Sequence, residues 1–181
     1  EEIDTVPFRR STIARPGGSG HCSGSAWVKE RREPGVARIT VSLDIPENVE
    51  VVYDRAKDIE ALARFLPDLE EVRVLSRQGQ EVESFWKGRF QGREVKWKEK
   101  DVWDDAKKEC RFFTLEGDFK KYEGIWRFRE ESPSVTRVEL EIEYDLGIPL
   151  VGALIHAFLK KKMEENALAM LEALKKAVRE E

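Results

Sequence analysis

Two carboxylates, Glu99 and Asp101, stand two residues apart in a tryptophan-bearing stretch, Val95–Trp103, and are the residues of this chain best suited to move protons. In an extended strand residues i and i+2 share a face, so both carboxyls stand on the face that carries Trp97. Carboxyl groups set against large aromatic surface lose water. That loss raises their pKa toward the range useful for general acid or base work. Such a pair needs a catalytic partner, and the sequence shows none. A structural alternative stands beside it: Arg111, on a neighbouring strand, is placed to neutralise one carboxylate. No catalytic residue is assigned.

Binding chemistry is more plentiful. Trp86, Phe90, Trp97, Trp126, Phe128 and Tyr144 fit inward strand faces. Facing a void, they would offer a ligand a rigid apolar wall; facing a filled interior, they are ordinary core. His156 sits in the apolar first half of the last helical stretch, either as a hydrogen-bonding group toward a ligand or as a plain helix histidine. His21 adjoins Cys22, still two ligands short of a metal site. No metal and no cofactor are expected. Lys160-Lys-Lys162 reads either as a transient contact for anionic lipid head groups or as a solvated face paired with Glu164 and Glu165.

Composition narrows the class. With 32 basic against 36 acidic side chains, the net charge of −4 argues against a nucleic-acid partner. Two distant cysteines, Cys22 and Cys110, make no disulfide framework and fit a reduced, intracellular setting. The longest apolar run, Leu150–Leu159, is too short to span a bilayer. A soluble protein of a bacterial cytoplasm or a plastid is expected, with its oligomeric state left open.

The elements that must hold these residues follow from periodicity. Residues 1–25, with Arg15-Pro-Gly-Gly-Ser-Gly20, read as a flexible arm; residues 26–181 read as one domain. A strand pair is predicted over Ala26–Arg32 and Val36–Ile45, then two short helices over Val49–Lys57 and Ile59–Phe65. Strands follow at Val72–Arg77, Glu81–Phe90, Arg93–Trp103, Arg111–Leu115, Tyr122–Arg129 and Thr136–Tyr144. A two-residue turn at Gln91-Gly92 would pair Trp86 with Trp97 and put Val82, Trp86, Phe90, Val95 and Trp97 on one face. A helix from about Pro149 to Arg179 closes the chain, with an apolar stripe from Val151 to Val178. A helix of that length must lie across the concave side of a curved sheet, and such a sheet tends to enclose a cavity.

Motifs along these elements resemble a known family. Asp58-Ile-Glu-Ala-Leu-Ala-Arg-Phe-Leu-Pro67 resembles the D-x-x-x-L-x-x-F-x-P segment of START-like (SRPBCC) polyketide cyclase/dehydrase and lipid-transport proteins. Glu116-Gly-Asp-Phe-Lys-Lys-Tyr-Glu-Gly-Ile-Trp126 is similar to their E-G-D-F-x-x-[FY]-x-G-x-W signature, and Val95-Lys-Trp-Lys-Glu99 and Asp145-Leu-Gly-Ile-Pro149 fit as well. The resemblance covers roughly residues 36–180. It implies an α+β helix-grip fold, a curved antiparallel sheet wrapped around the long C-terminal helix with two short helices after the first strand. It also implies a cavity for a lipid, an isoprenoid quinone or a polyketide-like compound. It supplies no universal catalytic motif.

The expected function is therefore that of a carrier or chaperone for a hydrophobic small molecule. The ligand-binding set is Phe65, Leu66, Trp86, Phe90, Trp97, Trp126, Phe128, Tyr144, Leu154 and Phe158, with Glu99, Asp101 and His156 as polar groups of the cavity. A cyclase or dehydratase acting in the same cavity is the enzymatic alternative. A protein-interaction module, of the kind represented by a toxin that blocks ribosomal subunit association, is the third.

Overall fold

The structure is a computed structural model that describes residues 36–66, 68–90, 92–147 and 153–180. Its elements run β1 (Ala37–Ile45), α1 (Val49–Ala56), α2 (Ile59–Ala63), β2 (Leu69–Gln78), β3 (Glu81–Phe90), β4 (Arg93–Asp104), β5 (Glu109–Gly117), β6 (Lys121–Ser132), β7 (Val135–Asp145) and α3 (Ala153–Arg179). The strands form one antiparallel sheet in the order β1-β7-β6-β5-β4-β3-β2. This is the helix-grip arrangement. The expected arm over residues 1–25, the expected strand over 26–32 and the helix start near Pro149 lie outside the described residues.

Local chemistry explains the boundaries. Pro46 follows β1, and the Asn48 side chain then caps α1 by accepting from the Glu50 amide at 2.8 Å. Asp58 caps α2 by accepting from the Ala61 amide at 3.1 Å. Helix α2 stops at Ala63 rather than at Phe65. The amides of Arg64, Phe65 and Leu66 bond three residues back, to Ala61, Leu62 and Ala63, tightening the chain before Pro67.

The β3–β4 hairpin has the expected register: Phe90 opposite Arg93, Gly88 opposite Val95 and Trp86 opposite Trp97. On β7, Val138, Leu140, Ile142 and Tyr144 are buried, while Glu139, Glu141 and Glu143 face a band of cations on the other side. Arg127 meets Glu139 at 2.7 Å and Glu141 at 3.1 Å; Lys121 meets Glu143 at 2.9 Å. Such partly exposed pairs add little energy each. They mark the outer face as solvated, so the inner face must be covered.

Helix α3 covers it. Met163, Ala167, Leu171, Leu174 and Val178 are buried, and the helix packs on β1, β7, α1 and α2. Fully burying a side chain of leucine size contributes about 1.5–3 kcal/mol. Close approach within the sheet requires glycine at Gly124. Gly124 on β6 lies opposite Phe112 on β5, and a Cβ there would stand 2.1 Å from the Glu141 backbone oxygen and 2.6 Å from the Phe112 ring.

Candidate functional site

Between the inner sheet face and α3 lies a cavity of about 140 Å³. Strands β3 and β4 supply Trp86, Phe90, Val95 and Trp97; β5 and β6 supply Phe112, Tyr122 and Trp126; β7 supplies Leu140 and Ile142. Phe119, before β6, closes one side, and Leu66 after α2 closes another. Helix α3 faces them with Met163, Asn166, Ala167, Ala169 and Met170. The exposed residues Asp68, Arg89 and Ala169 among the lining mark where it opens.

The aromatic wall is built by mutual contact. Trp86 and Trp97 stack with ring centroids 5.7 Å apart, Phe119 meets Trp97 edge-on at 5.4 Å, and Tyr122 lies 5.0 Å from Phe119 and 5.9 Å from Trp97. Such pairs stabilise beyond their burial and fix ring orientation.

A smaller annex of about 30 Å³ adjoins the cavity and shares Leu66, Trp86, Glu99, Trp126 and Met170 with it. Its remaining walls are Ala56, Ile59, Leu62, Asp101, Trp103 and Cys110. Glu99 and Asp101 are thus both inward and buried, beside buried Ser84. The Trp97 indole donates to Glu99 Oε2 at 3.1 Å, and the Trp86 indole donates to Ser84 Oγ at 2.8 Å. The Cys110 thiol lies 3.9 Å from Asp101 Oδ1, while Asp101 Oδ2 has no hydrogen-bond partner among the described residues.

Burial governs the charge of this pair. Loss of water, then the Asp101 charge, holds Glu99 well above the ordinary carboxylate range, against the opposing pull of the Trp97 N–H. Burial pushes Asp101 up to about 7, with the Cys110 contact and the more distant Arg77 charge pulling the other way. Burial likewise pushes the Cys110 thiol up, making it a poor nucleophile.

Of the residues expected at the site, the structure brings Leu66, Trp86, Phe90, Trp97, Trp126 and Glu99 to the cavity, and Asp101 to the annex. Others stand elsewhere. Phe128 and Tyr144 are buried but line neither space; α1 fills the space beside Phe128 with Tyr53. Phe65 is half-buried against that core and lines neither space. Leu154 is 88% exposed, Phe158 is 49% exposed, and His156 is exposed too, since the first turns of α3 bury little of their surface. Arg111 projects from the outer sheet face, opposite in parity to Cys110 and Phe112, so it does not neutralise the carboxylates. Lys160 and Lys162 pair with Glu164 and Glu165 at 3.8 and 2.6 Å, a local solvated arrangement.

Several lining residues escaped the sequence reading. Tyr122 shares strand parity with Trp126, and Trp103 with Trp97, so alternation alone carried that signal. Phe119 stands in a connection, where no periodicity points to it. Among the described residues no group of three His, Cys, Asp or Glu side chains is placed to hold a metal ion, and no helix is long and apolar enough to cross a membrane.

A family model for polyketide cyclase / dehydrase and lipid transport proteins matches residues 45–171. The chain belongs to this family. Solved structures share the fold. TTHA0849 from Thermus thermophilus is 38% identical, with 79% of this chain and 97% of that one covered at a TM-score of 0.75. The ZhuI aromatase/cyclase from Streptomyces sp. R1128 is 14% identical, with 80% and 94% covered at 0.68. A START superfamily protein from Mycobacterium smegmatis is 17% identical, with 78% and 97% covered at 0.66. At these last two identities the likeness is one of fold. No curated protein matches the chain.

Proposed function

We propose that this protein binds an apolar small molecule in the aromatic-walled cavity and acts as its carrier or chaperone, the ligand being a lipid, an isoprenoid quinone or a polyketide-like compound. The observation that carries this reading is the void itself, about 140 Å³ walled by Trp86, Trp97, Phe119, Tyr122 and Trp126 under a helix that offers only small or unbranched side chains. An engineered apolar cavity of roughly 150 Å³ stays dry and takes up benzene, so a space of this size suits one ring or a short chain segment. Met163 and Met170 have the torsional freedom to make room for more. Each 100 Å² of ligand surface taken from water contributes about 2.5 kcal/mol.

Titration of tryptophan fluorescence with a short-chain quinone, a fatty alcohol and a polycyclic aromatic tests it. Saturable quenching at one site per chain is expected, because Trp86, Trp97 and Trp126 line the cavity. Absence of saturable binding by all three would contradict the proposal.

One observation favours an enzyme reading as second: Glu99 borders both spaces with its pKa raised by burial and by Asp101. A cyclase or dehydratase would use it to move protons while the cavity folds the reactive chain. Glu99→Gln that keeps ligand affinity but abolishes turnover of a polyketide-like substrate would establish this branch. Binding without turnover by the native protein would leave only carriage. The unfilled interior supports either of these over the protein-interaction module.

A further inference from the structure

The annex holds a buried carboxyl oxygen to which the described residues bring no donor. Asp101 is 5% exposed and Glu99 is 7% exposed, and no described cation reaches either within bonding distance. Among the described residues the side chains that donate to the pair are the Trp97 indole, on one Glu99 oxygen, and the weak Cys110 thiol, on one Asp101 oxygen. The Ser84 hydroxyl accepts from the Trp86 indole and keeps its own O–H to donate, but that O–H does not reach Asp101 Oδ2. Among the described residues Asp101 Oδ2 is left without a partner. A buried acceptor in that condition carries a desolvation penalty that a donor from outside the protein would remove.

Size and charge define that donor. About 30 Å³ is room for a group no larger than a water or a hydroxyl. A phosphate or carboxylate is larger than this space and would lose its hydration in apolar surroundings with no described cation beside it. An ammonium would have to shed its hydration between Leu66, Trp86, Trp126 and Met170, whereas a neutral hydroxyl sheds far less.

We propose that the annex is a head-group site. It receives the hydroxyl or phenol end of an amphiphilic ligand whose apolar body occupies the main cavity, with Asp101 and Glu99 accepting from that hydroxyl and rejecting anionic heads. The proposal rests on the cavity-binding reading and narrows it to alcohols and phenols.

Three probes of one shape test it by calorimetric titration at pH 7: 2-naphthol, 2-methoxynaphthalene and 2-naphthoate. The native protein is expected to bind 2-naphthol about tenfold more tightly than 2-methoxynaphthalene, the worth of one good hydrogen bond, and to bind 2-naphthoate most weakly. Asp101→Leu should bring that ratio below about threefold while 2-methoxynaphthalene binds as before. Asp101→Asn, which keeps an acceptor in place, should retain most of the preference. A naphthol-to-methoxynaphthalene ratio below about threefold on the native protein overturns the head-group site and leaves the cavity reading intact. This comparison needs no variant to fold. A preference that survives Asp101→Leu overturns the assignment to Asp101. Failure of all three probes to bind overturns the cavity reading and the annex with it.

Discussion

Two aromatic clusters on the same sheet face have opposite fates. At one end Tyr53 stands edge-on to Trp103 and Phe128, with centroids 5.4 and 5.3 Å apart, and only the annex of about 30 Å³ beside Trp103 stays open. At the other end Trp86, Trp97, Phe119 and Tyr122 touch one another yet border a void. The strands do not make the difference; what faces them does. Under the first cluster α1 inserts Tyr53, fully buried, whose phenol donates to Asp105 at 3.0 Å. Opposite the second, α3 offers Asn166, Ala167, Ala169 and two methionines. An inward aromatic is therefore core or cavity wall according to the bulk of a helix residue distant in sequence.

The sharpest way to break the comparison is to open the closed end. Tyr53→Ala should cost about 3–5 kcal/mol of stability, the usual loss on truncating a buried aromatic, read from chemical denaturation midpoints. Filling the open end does the reverse. Ala167→Phe places a ring where α3 faces the void and should lower affinity for apolar probes more than about tenfold, at a stability cost within the about 1–3 kcal/mol typical of overpacking. If both substitutions cost equally and neither alters binding, the two ends do not differ as described.

The carboxyl pair gives a smaller, pH-dependent effect. Asp101 holds its proton to about pH 7 in the folded protein, against about 3.9 in an unfolded chain. The folded state binds a proton that the unfolded state releases. This group's contribution is therefore complete below about pH 4 and is lost as pH rises toward 7. Denaturation at intervals between pH 4 and 8 should show native stability declining across that window and Asp101→Asn declining less. The variant should be the more stable at pH 8 by on the order of 1–3 kcal/mol. Phe158→Ser should do least. It alters an exposed turn of α3, so stability should move by no more than about 0.5 kcal/mol and probe affinity should stay as it was.

What the sequence disclosed follows the same division. Alternation placed the buried side of β7, and the Gln91-Gly92 turn placed Trp86 opposite Trp97, because strand register depends on neighbours in the chain. The carboxyl pair was legible for the same reason, sharing the face of Trp97. Phe128 was assigned to the cavity because nothing local reveals that Tyr53, 75 positions earlier, fills the space beside it. Leu154 and Phe158 were assigned by extending an apolar stripe whose burial holds from Met163 onward and fails in the first turns. Phe119 carried no periodic signal, and the orphaned Asp101 oxygen depends on the distances of three strands.

Native mass spectrometry of the purified protein, followed by organic extraction, tests the central claim most directly. The account predicts one apolar molecule retained per chain, or taken up on exposure to quinone and fatty-alcohol probes, and its loss in Ala167→Phe. A protein that carries nothing, takes up no apolar probe and behaves identically after Ala167→Phe would contradict it.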